Sequence, residues 1–420
     1  MTDDTAALRI QVARQVAHWR AAAAGLQDLD NFASGAAWRT LERYLDVAIR
    51  RHLGEAVDRL SREADALAAE LRAAFSMQQL EQVRLRVIDF RRRYLQVETA
   101  LEFYGDAVNS RTTPRLAGLL SACDTLAVLS MRVVLEPLGR AVPPILTYVD
   151  KGLGASILRA GLRLWDGGSV SPAAVLKITR QNLRRPTALI HESGHQVAHL
   201  AGWNEELAAL LRRELAPVST DVADTWASWS SEIAADTHAF VHTGYGSVAA
   251  LHDVVAGGTT VFRLTPGDPH PVAYLRVLLA VQMCVRFFGA GPWDDLGRAW
   301  IVSQPVATAP TEARELIERS LPLLPRIAEL CLLAPMRGLG GKPITALVDP
   351  LRVRPDALAR LAQEAGGSLT TSSDWVRREG LRLLALTSFR AATEPDRSTE
   401  IAAQYEEWML RLGTPMAAAA

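Results

Sequence analysis

Cysteine is scarce in this chain. Cys123, Cys284 and Cys331 are the only three in 420 residues; scattered and odd in number, they fit a reducing compartment and argue against a thiolate metal site. An excess of charge of either sign is also lacking, with 46 basic against 46 acidic side chains, so there is no general attraction to nucleic acid. The short cluster Arg91-Arg92-Arg93 reads as a solvated helix face. No stretch reaches the roughly 18 to 20 uninterrupted apolar residues of a membrane span. The richest run, Leu275 to Phe288, is broken by Arg276 and Arg286. The amino terminus, Met1-Thr2-Asp3-Asp4, is acidic and carries no secretory signal, and the alanine-rich carboxyl terminus carries no prenylation motif. The expectation is a soluble cytoplasmic protein, with delivery by a specialised injection machine left open. Internal repeats and low-complexity segments are missing too. Gly338-Leu339-Gly340-Gly341-Lys342-Pro343 lacks the first glycine of a phosphate loop and has proline where Ser or Thr is required, so it reads as a turn.

What the chain does have is concentrated histidine: seven of its nine fall between residues 191 and 270. The first two belong to His191-Glu192-Ser193-Gly194-His195. On a helix, positions i and i+4 lie about 6 Å apart along the axis on one face, so both imidazoles can hold one ion. Glu192 then stands beside that ion, able to take a proton from its water. A helix fits locally: Pro186 and Thr187 make a start, Leu189, Ile190, Val197, Ala198 and Leu200 are apolar, and Gly202 makes a stop. Gly194 is the exception. Glycine costs a helix interior about 1 kcal/mol relative to alanine, so another backbone or a ligand is expected to come close at that turn.

A catalytic site of this kind needs a third protein ligand and one open position. A distal histidine on the extended all-histidine pattern is excluded, because Ala198 and Ala201 stand where glycine and histidine are needed. His199 lies on the same face as His191, yet two turns, about 12 Å, separate them, so the three histidines cannot share an ion without breaking the helix. Glu232 is the better ligand. The segment Ser219 to His242 reads as one long helix, with Trp226, Trp229, Ile233 and Phe240 at helical spacing and Gly244 just beyond. Glu232 and Asp236 share one face of it. A metal-bound histidine usually donates its other ring N–H to a carboxylate, so Asp236 is assigned to orient a ligand and Glu232 to the metal. Solvated acids on an amphipathic helix would be the ordinary explanation. Here the flanks are apolar and rich in tryptophan, and unpartnered acids there would be costly to bury.

These residues resemble a gluzincin, a zincin peptidase whose third ligand is a glutamate on a downstream helix. With Asp268-Pro269-His270-Pro271 and Arg276 added, the pattern is most similar to the branch holding the CAAX prenyl endopeptidases and the membrane heat-shock proteases. The resemblance covers roughly residues 140 to 290. It implies that His270 stabilises the developing oxyanion and that Arg276 supports the site; Tyr245 and Tyr274 stand as reserve donors.

The expected fold is mainly α, an α+β zincin-like core between helical flanks. Residues 1–137 read as a helical region, with Leu41 to Arg72 and Met77 to Asn109 as a long antiparallel hairpin. Residues 138–300 form the metallopeptidase domain and 301–420 a helical region with helices at 311–333, 355–364 and 373–387. After Pro143-Pro144, the runs 145–149, 156–165 and 174–179 read as strands. A sheet edge that pairs with an extended substrate is expected in 156–165 or 174–179.

The expected activity is zinc-dependent peptide-bond hydrolysis, with one Zn2+ held by His191, His195 and Glu232 and with Glu192 as general base. Manganese, cobalt or iron suit the same ligands. A zinc-binding scaffold or latent peptidase-like protein and an injected effector peptidase are the alternatives. The expected partner is a peptide or protein substrate, and the amino-terminal helices are a candidate protein-binding or autoinhibitory element.

Overall fold

The computed structural model describes residues 3–151, 156–158 and 173–414, and the chain is mainly helical. Its described residues divide into two compact units, one of residues 3–113 with 173–175, the other of residues 114–151 with 156–158 and 176–414.

The first unit is built on three long helices, α1 (Asp3–Gly25), α3 (Ile49–Ala73) and α4 (Met77–Asn109), which pack on one another, with the shorter α2 (Gly35–Leu45) against α4. Leu53, Leu60, Ala64 and Leu67 of α3 and Leu80, Val83, Val87 and Phe90 of α4 are buried where these helices pack on each other and on α1. A capping box starts α4: Ser76 Oγ accepts from Gln79 N–H at 3.2 Å, and Gln79 Oε1 accepts from Ser76 N–H at 3.0 Å. The hairpin is shorter than expected on its first arm. Asp46 takes a left-handed conformation (φ 53°), which ends α2 and lets the chain restart at Ile49.

The second unit opens with α5 (Pro114–Leu135), followed by β1 (Ile145–Val149), β2 (Ser156–Leu158) and, from Leu176 on, the greater part of β3 (Ala174–Ile178). The sheet order is β1-β3-β2, and the bond from Asp150 N–H to the Ile178 carbonyl sets the ends of β1 and β3 side by side, as parallel strands require. β3 is thus the central strand, which removes 174–179 as the substrate-pairing edge. The outer side of β1 is covered as well: Asp124 on α5 accepts from Thr147 N–H at 2.7 Å. Only β2 is left as an edge among the described strands, and residues 159–165 of the expected strand lie outside the described residues.

The chain continues with α6 (Thr187–Ala201), α7 (Trp203–Leu215), α8 (Thr220–Ser228), α9 (Ser230–Thr243), α10 (Tyr245–Val255), α11 (Ala273–Phe288), α12 (Pro292–Ser303), α13 (Thr311–Ser320) and α14 (Leu324–Leu333). Later helices include Pro355–Ala365, Gly380–Thr393 and Ser398–Gly413. The expected boundaries near 137 and 300 do not coincide with the two units. α5 packs on α6, β1 and the Ser398–Gly413 helix, while α14 packs on α11 and the Gly380–Thr393 helix on α10. The carboxyl-terminal helices therefore share one core with the histidine-bearing helices. α5 is also the one helix among the described residues long and apolar enough to cross a membrane by length and composition, although charged and polar residues interrupt its apolar run. Its apolar window, of mean hydropathy 1.6, is 61% buried within the protein.

Candidate metal centre

α6 and α9 cross at Gly194. A Cβ placed on this glycine would lie 2.8 Å from Ala235 Cα and 2.9 Å from His238 Cβ. Another backbone does come close at that turn, and it belongs to the glutamate-bearing helix. The contact sets His191 and His195 of α6 opposite Glu232 and Asp236 of α9. α6 ends where glycine was expected to end it, at Gly202 (φ 67°). The second helix differs: the chain breaks at Trp229 (φ −90°, ψ 2°), so Glu232 stands in the first turn of a new helix.

His191, His195 and Glu232 each offer one ligand atom, all within 4.8 Å of one another. His191 Nε2 lies 3.4 Å from Glu232 Oε2, and His195 Nε2 lies 3.2 Å from Glu232 Oε1. A tetrahedral ion with bonds of about 2.0–2.1 Å requires ligand atoms about 3.3 Å apart, and the two histidine–glutamate gaps are close to that spacing. His191 Nδ1 lies 2.8 Å from Asp236 Oδ1, which leaves Nε2 for the ion. His195 Nδ1 lies 3.2 Å from Ser231 Oγ. Ser231 went unnoticed in the sequence, where a serine beside the glutamate carries no distinguishing spacing.

Arg276 of α11 binds both acids. Its Nε and Nη2 donate to Asp236 at 2.6 and 2.8 Å, and Nη2 lies 3.1 Å from Glu232 Oε2. This pairing explains how two carboxylates are buried on α9. Burial by itself favours the neutral acids, but Arg276 and His191 hold Asp236 down at about 2. For Glu232 the same burial is outweighed by His191, His195 and Arg276, and its carboxyl stays well below the usual range. Burial likewise opposes a charged His191, yet Asp236 and Glu232 lift it to about 10. An incoming metal ion would displace that proton.

The cluster lies at one side of a cleft of about 420 Å³. Glu192, His270 and Arg276 line the same cleft. His270 is anchored by Asp268, whose Oδ1 lies 2.7 Å from its Nδ1 and accepts from its backbone N–H at 3.0 Å; its Nε2 is 3.7 Å from Glu232 Oε1. The ring remains 60% exposed. His199 is exposed on α6, away from the cluster. Tyr245 and Tyr274, the reserve donors, are buried in aromatic packing, Tyr245 against Trp293 and Tyr274 against Phe262 and Trp300, and neither lines the cleft.

Comparison with protein family models, with curated proteins and with solved structures finds no match. The chemistry of the cluster therefore rests on its own geometry.

Proposed function

We propose that this chain is a zinc-dependent metallopeptidase acting in the cleft lined by α6, α9, α10 and α11. The observation that carries the reading is the spacing of two imidazoles and a carboxylate suited to a tetrahedral ion, with another carboxylate, Glu192, on the wall of the same cleft. Two nitrogen donors and one oxygen donor suit zinc. A bound zinc ion would supply Lewis acidity for the scissile carbonyl and lower the pKa of its water towards ~7. Glu192 takes the water proton and delivers it to the leaving amine. His270, oriented by Asp268, donates to the carbonyl oxygen as negative charge develops there. Asp236 keeps His191 in the tautomer that presents Nε2, and Arg276 keeps Asp236 and Glu232 ionised in a buried setting.

A latent peptidase-like or scaffold form is the second reading, favoured by one contact. Arg276 Nη2 stands 3.1 Å from Glu232 Oε2 and 3.5 Å from His191 Nε2, on the ligand atoms themselves. Metal content by mass spectrometry, followed by hydrolysis of a mixed peptide library with and without chelator, separates the two. Stoichiometric zinc with chelator-sensitive cleavage is expected. Stoichiometric zinc without cleavage favours the latent form, and a protein that takes up no metal overturns both.

A further inference from the structure

The three long helices of the first unit leave a groove of about 390 Å³ between α1 and α4. Arg14, His18 and Trp19 of α1 and Val87, Ile88 and Arg91 of α4 line it. Two properties of this groove point to an occupant. The first is apolar surface: Val87 is buried, and the half-buried Trp19 indole stands 5.1 Å from the Tyr94 ring. Ile88 is 39% exposed, and Leu85 and Leu95, at 51% and 44%, continue its line along α4. Spacings of three and seven put these residues in one stripe about 15 Å long, on the opposite side of α4 from Val83 and Phe90 in the core. Such a stripe is ordinarily covered by another element.

The second property is unbalanced charge. Arg84, Arg86, Arg92 and Arg93 of α4 are each paired with an acid, Glu81, Glu70, Asp89 and Glu63 in turn. On α1, Arg20 pairs with Asp65 and Arg9 donates to the Ala74 carbonyl. Arg14 and Arg91 differ: both are exposed, and among the described residues neither has an acidic partner. No carboxylate lines the groove.

These properties select the occupant. A second copy of the chain, set with this face against its own counterpart, would oppose arginine to arginine, which like-charge repulsion disfavours. An acidic partner is the complement. Its shape follows from the surroundings, because a groove between two long, packed helices is where a further helix lies in a bundle. The stripe matches about three turns of such a helix, enough for apolar anchors at i, i+3 or i+4 and i+7.

We propose that the groove between α1 and α4 docks an amphipathic helix of a partner protein, with its apolar face on Trp19, Ile88 and Leu95 and its flanking Asp or Glu residues paired with Arg14 and Arg91. The docking does not depend on the metal centre.

The test uses the full chain to select from a phage-displayed library of helical peptides, and the recovered peptides are labelled and titrated by fluorescence anisotropy. They are expected to be amphipathic, with Leu, Ile or Phe at the anchor spacing and Asp or Glu on the flanks. Ile88→Asp and Arg91→Glu should each weaken binding about tenfold or more, since each sets a negative charge against the acidic flanks. Both positions are exposed, and thermal melts should match the wild type. Arg91→Lys should keep most of the affinity, Arg298→Gln on the exposed side of α12 should change nothing, and added salt should weaken binding. Recovered peptides without acidic flanks overturn the proposal, as does binding indifferent to Ile88→Asp and Arg91→Glu, or a selection that yields no helical binder. Sedimentation of the chain alone and flotation with phosphatidylcholine–phosphatidylserine vesicles test the other occupants. A dimer broken by Ile88→Asp assigns the face to a second copy, and vesicle binding lost in that variant assigns it to a membrane; either result overturns the proposal.

Discussion

Gly194→Ala sets two effects of opposite sign against each other. In an exposed helix the change would stabilise by about 1 kcal/mol, because alanine is the better helix former. Here the added Cβ would sit 2.8 Å from Ala235 Cα, 2.9 Å from His238 Cβ and 3.0 Å from the Ala235 carbonyl oxygen. Carbon atoms settle at about 3.5–4.0 Å, so α6 and α9 must part by about 0.7 Å or more. Two of the contacts involve α9 backbone, which cannot rotate out of the way, and overpacking of this kind costs about 1–3 kcal/mol. The helix gain is thus cancelled or reversed. The larger effect falls on the metal, because the ligands bridge this crossing with gaps of 3.4 and 3.2 Å. Metal sites tolerate errors of about 0.2 Å, so the variant should bind zinc about 100-fold more weakly or worse. Urea unfolding of the metal-free protein and competition with a chromophoric chelator measure the two quantities. A variant more stable by about 1 kcal/mol with unchanged zinc affinity would show that α6 and α9 take in the methyl group without parting.

Asp236→Asn removes the bidentate partner of Arg276 and the group facing His191 Nδ1. Breaking a buried ion pair costs about 3–5 kcal/mol, and zinc affinity should fall about 10- to 100-fold; urea melts and chelator competition that match the wild type would contradict this. His242 gives a pH dependence. Burial holds it at about 3, opposed only by a bond to the Ser130 backbone, against an ordinary 6.5. Its folded pKa is depressed, so below about 6.5 the unfolded chain takes up a proton that the folded one refuses. Stability should fall as pH drops from about 6.5 towards 3, by up to about 1.4 kcal/mol per pH unit from this residue. Unfolding curves of His242→Gln between pH 7 and 4 should show a shallower decline; an identical slope would show that the ring is hydrated.

The ligand helix was legible because all its signals agree: a proline start, an i, i+4 histidine pair and a glycine stop at Gly202. Gly194 was informative because glycine is a poor helix residue whose presence needs a reason, and the reason lies at Ala235. The break at Trp229 was not legible. Apolar spacing runs unbroken through Trp226, Trp229 and Ile233, whereas the bend accompanies tertiary contacts: Trp226 Nε1 bonded to Ser320 Oγ at 3.0 Å and its ring against Trp229. The edge strand could not be chosen either, since strand order depends on pairing and not on the texture of each strand. The unit boundary near 114 was hidden for a similar reason: α5 has the same helical periodicity as α4, and only its neighbours differ.

In the proposed function His191, His195 and Glu232 hold a catalytic ion that Glu192 serves as base. Glu192→Gln tests it most directly, with zinc content and peptide hydrolysis measured on the same preparation. One zinc per chain should be retained and hydrolysis reduced by about 100-fold or more. Undiminished hydrolysis by the zinc-loaded variant would contradict it.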